Sequence, residues 1–303
     1  QRRRKGETIP LLTDWVDWWG RGGIIDISRP AWYRRTLGPV ETYYEEAFRT
    51  RADGLTVISH GLAERAIRMG VDPGRILRIP NGTHLDDFPL RDKLACRQHL
   101  GIAADIPLLG FSSLDSHLDL DLIMVALHHL KCEFPNIKLL ITGRTSEHVM
   151  QSAATHGVAE HIFLSGFVPF EALSWYLGAC DVFVLPFPDT IYNRGRWPNK
   201  IADYMSVGRP VVTNPVGEVG HLLGQHPIGL MTEWDATTFS EAIAVLLRDP
   251  ARADNMGQQA RRLAETTYNW QTLITTLEKF YLNHIDFAQM KVRSAALNWH
   301  SSQ

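Results

Sequence analysis

Long hydrophobic runs are missing from this 303-residue chain, and none approaches the ~18 apolar residues of a membrane-crossing helix. A strong charge of either sign is missing too. Lys and Arg number 31 against 33 Asp and Glu, for a net charge of −2, which argues against a general nucleic-acid binder. Cysteine is scarce: Cys96, Cys132 and Cys180 are three in number and far apart. That pattern supports neither a disulfide framework nor a zinc site, and makes a reducing cytoplasm the default. The 13 histidines are scattered with no HxxxH spacing, and His128 and His129 read as surface residues of a helix rather than metal ligands. There is no GxxxxGK[ST] and no GxSxG, so a P-loop nucleotidase is not indicated and there is no nucleophile elbow. WGRGG at 19–23 precedes no GxGxxG helix, which leaves a dinucleotide fold poorly supported. The basic start QRRRKGE lacks the apolar core of a signal peptide; it reads as a solvated loop, with a membrane-surface patch as the other reading. Internal repeats and low-complexity tracts are absent.

What is present is a globular composition, 45% hydrophobic and 21% charged, able to bury a substantial core, and a length for about two domains at ~150 residues each. Apolar runs and helical periodicities alternate along the chain, the pattern of parallel sheets covered by helices. The first part gives strands at TIPLLTD, DGLTVIS and RILRIPNG, a helix over 39–51, and a helix GLAERAIRMG ended by Gly70. THLDDFPLRDK reads as a linker. The second part gives strands at PLLGFSS, IKLLITG, HIFLSGF, DVFVLPF and PVVTN, with helices between them near 119–133, 145–156, 169–178 and 198–207 and further helices to about 282. The expectation is an α/β chain: residues 1–88 as a partial N-terminal Rossmann-like domain, 89–104 as linker, 105–282 as a complete doubly wound domain, and 283–303 as a tail that could return to the first domain. Three strands are too few for an independent sheet of the same type, so the first domain is expected to lack its initial strands.

The most informative stretch is RGRWPNKIADYMSVGRP, residues 194–210. Pro198 suits the first turn of a helix, where its missing N–H costs nothing. Ile201, Tyr204, Met205 and Gly208 recur as a buried stripe. Asn199 and Asp203, four apart, fall together on the other face beside Lys200. DVFVLPFPD before it is a buried strand, so a strand delivers Arg194 and Arg196 to a helix start, where anions are favoured. The plainer alternative is a packing helix with solvated arginines, and an Asp203 that is merely salt-bridged.

Ligands of open α/β sheets bind beyond the carboxyl ends of the strands. Residues there are Asp115, Ser116 and His117; Gly143 and Arg144; Gly166 and Phe167; Asp189, Asn193, Arg194 and Arg196; and Gly217 and Glu218. Three arginines, a lysine and several glycines on one rim suit a diphosphate, which needs cations and close backbone approach. In the first part, Asp14 and Asp17 follow a strand and face the expected cleft. The tryptophans of DWVDWW read as packing residues rather than a stacking platform.

Three separated motifs resemble one family, the retaining GT-B glycosyltransferases of the large GT4 group. VISHGLAERAIRMGVDPGRILRIPNGTHLDDF is similar to the end of their N-terminal domain, IFLSGFVPFEALSWYLGACDVFVLPF to their middle segment, and PNKIADYMSVGRPVVTNPVGEV to their donor-site helix. The resemblance runs from about residue 53 to 282. It implies two Rossmann-like domains, the C-terminal one binding a nucleotide-diphospho-sugar and the N-terminal one the acceptor. It implies that Gly166 and Phe167 line the base, that Asp203 holds the ribose hydroxyls, and that Lys200 lies near diphosphate and sugar. Two departures stand out. The family's pair of glutamates eight apart becomes Gly195 and Asp203, and its cations after the first strand of the C-terminal domain are replaced in GFSSLDSHLD; Arg194, Arg196 and Lys200 are the residues that would restore the charge.

The expected activity is therefore metal-independent transfer of a hexose, with retention, from a UDP-, GDP- or ADP-sugar to a hydroxyl of a glycan, lipid or small-molecule acceptor. No cofactor is expected. Asp14, Asp17 and Lys200 are the candidate catalytic residues; Arg144, Gly166, Phe167, Asn193, Arg194, Arg196, Asn199, Lys200, Asp203 and Gly217 are the candidate donor contacts. The expected location is the cytoplasm, with room for peripheral contact with the inner membrane face. A chain with half an acceptor domain is expected to bind donor weakly and transfer nothing. The rivals are a nucleotide-sugar-binding pseudoenzyme, suggested by the two departures, and an NAD-dependent oxidoreductase, which rests on fold alone.

Overall fold

The structure, a computed structural model, describes residues 10–112, 120–144 and 147–284. The chain divides into two compact units, one formed by residues up to Pro80 and from Gln271 onward, the other by Asn81–Trp270.

The first unit holds a parallel sheet of three strands in the order β1 (Leu12–Trp15), β2 (Gly54–Val57), β3 (Ile76–Arg78), with Leu12 opposite Gly54 and Leu55 opposite Ile76. Strand β2 is central and buried along its whole length, as a strand with neighbours on both sides must be. Helices Gly38–Thr50 and His60–Arg68 flank it, the second capped by Ser59 Oγ accepting from Leu62 N at 3.1 Å. Two short helices, Ile24–Ser28 and Ala31–Thr36, were invisible in the periodicity because each is only about a turn and a half long. Helix Trp270–His284 also brings its chain to this unit: a Cβ at Gly54 would lie 3.2 Å from the Phe280 ring. The return to the first unit thus begins near residue 271 rather than at 283, and the expected tail beyond 284 lies outside the described residues.

The buried carboxylate of Glu45 organises the segment after β1. It accepts from Trp15 Nε1 at 2.8 Å, Trp19 N at 3.0 Å and Gly20 N at 2.8 Å, and pairs with Arg65 at 3.1 Å. A buried charge is tolerated only when paired and hydrogen-bonded, and this one has four donors. Trp15 is packed and bonded, as expected of a structural tryptophan, and is 1% exposed.

The second unit is a six-stranded, all-parallel sheet. In sequence its strands are β4 (Leu108–Ser112), β5 (Lys138–Thr142), β6 (Ile162–Gly166), β7 (Val182–Leu185), β8 (Val211–Thr213) and β9 (Gly229–Met231). In space the order is β6-β5-β4-β7-β8-β9. One strand more than expected is present: β9 has three residues and no fully buried one, too little to register as an apolar run. The core gathers Leu109, Phe111, Ile123, Leu127, Leu139, Ile141, Val182 and Val184 with Phe239 and Ile243 from a covering helix.

The stretch read as a linker, 89–104, is a correction. It carries a helix, Lys93–Leu100, capped by Asp92 Oδ1 accepting from Ala95 N at 2.9 Å, with Cys96 fully buried, and it belongs to the second unit. Asp181 docks it, accepting from Lys93 Nζ at 2.8 Å, Arg97 Nη2 at 2.7 Å and Leu108 N at 2.8 Å. The charged residues that make the segment look solvated are the ones that fasten it. Cys180 is core, as expected, and burial pushes its thiol pKa up. None of the described helices is long and apolar enough to cross a membrane.

Candidate functional site

Strand order reverses between β4 and β7: the chain runs outward from β4 through β5 to β6, then returns to β7 on the other side of β4. Crevices at such switch points are where open α/β sheets bind ligands. The helix Lys200–Ser206 is fixed beside both switch-point strands. Tyr204 stacks on Phe183 of β7 with ring centroids 3.7 Å apart, and its hydroxyl accepts from Ser112 N, at the end of β4, at 2.9 Å. Gly110 makes room for this arrangement, since a Cβ there would lie 2.5 Å from the Phe183 ring. The helix starts two residues later than expected: Pro198 lies before it, and Ile201 N and Ala202 N bond back to Pro198 O and Asn199 O, both at 3.0 Å. Gly208, at φ +67°, lies just past its end.

The structure brings several candidates together here. Lys200 Nζ lies 4.3 Å over the ring of Phe111 on β4. Arg196 is sandwiched between Phe187, at 4.9 Å, and Tyr192, at 4.7 Å; its Nε is buried with no hydrogen-bond partner among the described residues. Asn193 is buried on a short helix, Ile191–Gly195, started by Thr190 Oγ1 accepting from Asn193 N at 3.0 Å. Its Nδ2 donates to Pro188 O at 2.7 Å, while its Oδ1 is buried and has no partner among the described residues. Gly217, at φ +53°, opens the next helix so close to this loop that a Cβ would meet Asn193 O at 2.6 Å. Unmet buried polar atoms cost free energy and can be met by a polar ligand.

Asp203 is half-buried on the same helix as Lys200. Loss of solvent around the carboxyl pushes its pKa up from 3.8 to about 7. No ion pair to a nearby arginine is found for it among the described residues. Asn199 stands exposed at the start of the helix. Its side chain does not cap, because Oδ1 accepts from Asn81 Nδ2 at 2.6 Å.

Three further candidates are exposed. Arg194 is exposed and held by Asp189 through two bonds of 2.6 Å, which raise the Arg194 pKa and lower that of Asp189. Arg144 and Phe167 are exposed at the ends of β5 and β6, where Gly143 N bonds Gly166 O at 3.0 Å. The β5–β6 register slips there, with Leu164 opposite Ile141 but Gly166 opposite Thr142, a bulge that re-aims the chain. Gly166 has φ +67° and open space around it. Asp115, Ser116 and His117 lie outside the described residues.

Asp14 and Asp17 belong to the first unit. Asp14 does not follow the strand but lies within β1, where its Oδ1 accepts from Thr56 Oγ1 at 2.6 Å. Asp17 comes two residues after β1 and lines a cavity of that unit.

Three residues around the site escaped the sequence reading. Asn214 ties together the segments that leave β7, β8 and β9: its Oδ1 accepts from Phe187 N at 2.8 Å, and its Nδ2 donates to Thr232 O at 2.9 Å and Glu233 O at 3.0 Å. Its place at the end of PVVTN was the available signal. Trp197 is buried, stacks on Tyr268 at 5.3 Å and has no partner for its indole N–H among the described residues. Asn81 sits in the PNG turn, whose sequence gives no hint of its partner 118 residues away.

The fold is that of the GT-B type of glycosyltransferase. Two family profiles match: glycosyl transferases group 1 over residues 108–249, and a glycosyl transferase 4-like domain over 1–82. The chain belongs to the GT4-like glycosyltransferases. It is 26% identical over 268 residues to a D-inositol 3-phosphate glycosyltransferase of Geodermatophilus obscurus, covering 84% of this chain and 56% of that protein. It is also 26% identical over 234 residues to a GDP-mannose-dependent phosphatidylinositol monomannoside mannosyltransferase of Mycolicibacterium smegmatis, covering 73% and 60%. The chain thus spans a little over half the length of these relatives. Similar solved structures include a sucrose-phosphate synthase from Thermosynechococcus elongatus (TM-score 0.74, 21% identity, 93% of this chain and 69% of that one) and Anabaena HepE in complex with UDP (TM-score 0.72, 17% identity, 90% and 72%).

Proposed function

We propose that the protein moves a hexose from a nucleotide-diphospho-sugar to an acceptor hydroxyl with retention, and that the switch-point site of the second unit holds the donor. The observation that carries this reading is the polarity gathered there: the buried Asn193 Oδ1 and Arg196 Nε, which have no hydrogen-bond partner among the described residues, together with two cations lying over aromatic rings and a half-buried carboxyl on one short helix. Arg196 and Lys200 take the diphosphate, Asp203 accepts from the ribose hydroxyls, and Gly166 and Phe167 flank the base. Asn193 and Asn199 face the diphosphate-sugar, with Gly217 giving the backbone room.

In the step itself the bond from the anomeric carbon to the diphosphate oxygen breaks and the acceptor oxygen bonds to that carbon on the same face. The acceptor proton passes to the departing phosphate. Negative charge grows on that phosphate, so fixed cations lower the barrier without a protein base. No metal or cofactor enters the scheme. The acceptor is a glycan, lipid or small molecule. Relatives named for inositol phosphate and phosphatidylinositol mannoside support a hydroxyl-rich acceptor, and one named for GDP-mannose supports a hexose donor.

The test is calorimetric titration with UDP, GDP and ADP and their hexose conjugates, followed by NMR of the anomeric proton in any product. Saturable binding of one nucleotide series is the expected result, and any product is expected to carry a retained anomer. A protein that binds none of them, or hands over an inverted sugar, would sink the proposal.

A further inference from the structure

A cavity of about 720 Å³ lies in the second unit, at the end of the sheet away from the donor candidates. Arg209, which lines it, comes just before β8, and Gly178 just before β7, whereas Phe187 and Asn214 of the donor rim follow those strands. One wall is the start of the helix Lys93–Leu100 with the residues before it. The other is one face of the helix Pro250–Thr266, on which Asp254, Gln258, Arg261 and Glu265 recur every three or four residues.

Five cations line this cavity against three carboxylates. Two of the cations are already neutralised: Asp181 holds Lys93 at 2.8 Å and Glu265 holds Arg261 at 2.7 Å. Asp92 is turned to its own helix, where Oδ1 accepts from Ala95 N at 2.9 Å. Arg91, Arg209 and Arg262 remain, and none of them has an ion pair among the described residues. Arg91 is fixed with its fork open. It lies 3.8 Å over the Trp175 ring and its Nε donates to Ser174 Oγ at 2.9 Å, while Nη1 and Nη2 have no partner among the described residues. Arg209 is fixed by backbone carbonyls alone, those of Cys180 and Gly178 at 2.9 Å and of Gly208 at 3.1 Å. Carbonyls use up N–H groups but do not neutralise the charge, and two of the five N–H bonds of this guanidinium are left over. Both residues flank Gly178, whose added Cβ would lie 3.8 Å from Arg91 Cβ. Arg262 is exposed, and its side chain has no hydrogen-bond partner among the described residues.

We infer that this cavity binds a phosphate dianion, free or as the monoester of a small molecule, gripped by Arg91, Arg209 and Arg262. A guanidinium meets two phosphate oxygens with paired N–H groups. Arg91 and Arg209 are held before any ligand arrives, so little freedom is lost when it binds. The inference goes beyond the donor reading and does not rest on it, because no donor candidate lines this cavity.

The experiment titrates the full chain by calorimetry with inorganic phosphate and with glycerol 3-phosphate, at pH ~8, where both are dianions. One anion per chain is expected to bind, in the parent and in an Arg196→Ala protein alike. Arg91→Gln and Arg262→Gln are each expected to weaken binding roughly tenfold, the loss of one charge-assisted contact. The Arg262 substitution alters an exposed, unpaired side chain and so leaves folding intact. Asp254→Asn is expected to tighten inorganic phosphate, because it removes a like charge from the wall. Equal affinity for the two probes would identify free phosphate as the ligand, and a tighter ester would identify a phosphorylated small molecule; both support the inference. It is overturned if neither probe binds saturably, if Arg262→Gln and Arg91→Gln proteins bind as the parent does, or if Arg196→Ala abolishes binding. An Asp254→Asn protein that binds inorganic phosphate more weakly than the parent also overturns it.

Discussion

Asn81 Nδ2 donates to Asn199 Oδ1 at 2.6 Å, and two residues on, Thr83 Oγ1 lies 2.8 Å from Ser206 Oγ, so the turn that opens the second unit is fastened to both ends of the Lys200–Ser206 helix. The first contact occupies the side chain that would otherwise turn back on the helix start. Asn81→Ala should cost ~0.5–1.5 kcal/mol of stability, the net value of one hydrogen bond, and weaken nucleotide diphosphate binding a few-fold as Asn199 reorients. Calorimetry beside thermal melts checks both. Unchanged nucleotide affinity with lowered stability would reduce the contact to a structural pin.

Lys200 and Arg196 sit on aromatic rings that hold their charges in place. Replacing either with Ala should weaken nucleotide diphosphate binding by ~1.5–3 kcal/mol, the loss of one charge-assisted hydrogen bond. Arg196→Lys should recover little, because an ammonium cannot stack flat between Phe187 and Tyr192. Full affinity in both alanine proteins would put the diphosphate elsewhere. Arg194→Ala, which releases only a solvent-exposed pair with Asp189, should change little.

The Asp203 carboxyl, held at about 7 by burial, makes the site pH-dependent. A carboxyl whose folded pKa is raised favours the fold most while protonated. Its contribution is full below pH ~4, fades as pH climbs toward 7, and stays lost above that. Asp203→Asn, neutral at every pH, should therefore be more stable than the parent at pH 8, by ~1–3 kcal/mol once residual solvent access is allowed for, and nearly equal to it at pH 4. Ribose hydroxyls donate to the ionised form, so nucleotide affinity of the parent should rise from pH 6 to 8 with release of a proton. The Asn variant should show a flat profile. Titrations in two buffers of different ionisation enthalpy read the proton directly, and a parent with no proton release would refute ribose binding at Asp203.

Much of this site is legible in the chain because a strand, a loop and a helix come one after another without a break. The apolar run before residue 186 and the stripe of Ile201, Tyr204 and Met205 each have a period, and all three stripe residues are buried. What carries no period stays hidden. Asn214 and Asn81 act through side-chain hydrogen bonds to residues distant in sequence. Arg194 reads as a ligand cation because sequence displays its charge but not the grip of Asp189. The Lys93–Leu100 helix reads as linker because its fastening residues are charged and their partner, Asp181, lies 84 residues on from Arg97. In each case a polar contact decides the role, and apolar periodicity is silent about it.

Glu45→Gln tests the first unit. The substitution takes away the charge that balances buried Arg65, whose Nη1 has no partner among the described residues even now. Breaking one side of a buried pair should cost about 3 kcal/mol, tempered by Glu46, which stays 2.9 Å from Arg65. The segment from Trp15 to Gly20 should loosen, seen as a red shift in tryptophan emission. A loss below ~1 kcal/mol by urea denaturation would mean that Glu46 carries the pair.

Gly217 is the residue whose change should separate geometry from charge. Its φ of +53° lies where a side chain is strained, and a Cβ would meet Asn193 O at 2.6 Å and Arg194 Cα at 3.0 Å, both backbone atoms of the loop that precedes Lys200. Backbone cannot step aside as a flexible side chain does, so Gly217→Ala must push the Ile191–Gly195 helix outward or distort its own. The cost should be ~1–3 kcal/mol, the usual range for a residue held in a sparsely populated conformation. No charge or hydrogen-bonding group is removed, and Arg196, Lys200 and Asp203 all remain. Nucleotide diphosphate affinity should nonetheless fall, because Arg196 hangs from the displaced loop and phosphate contacts tolerate little misplacement. The measurement is a thermal melt paired with calorimetry well below the melting temperature. A protein that melts earlier but binds with undiminished affinity would show that the loop's position is irrelevant to the nucleotide, and that the close approach at Gly217 serves packing alone.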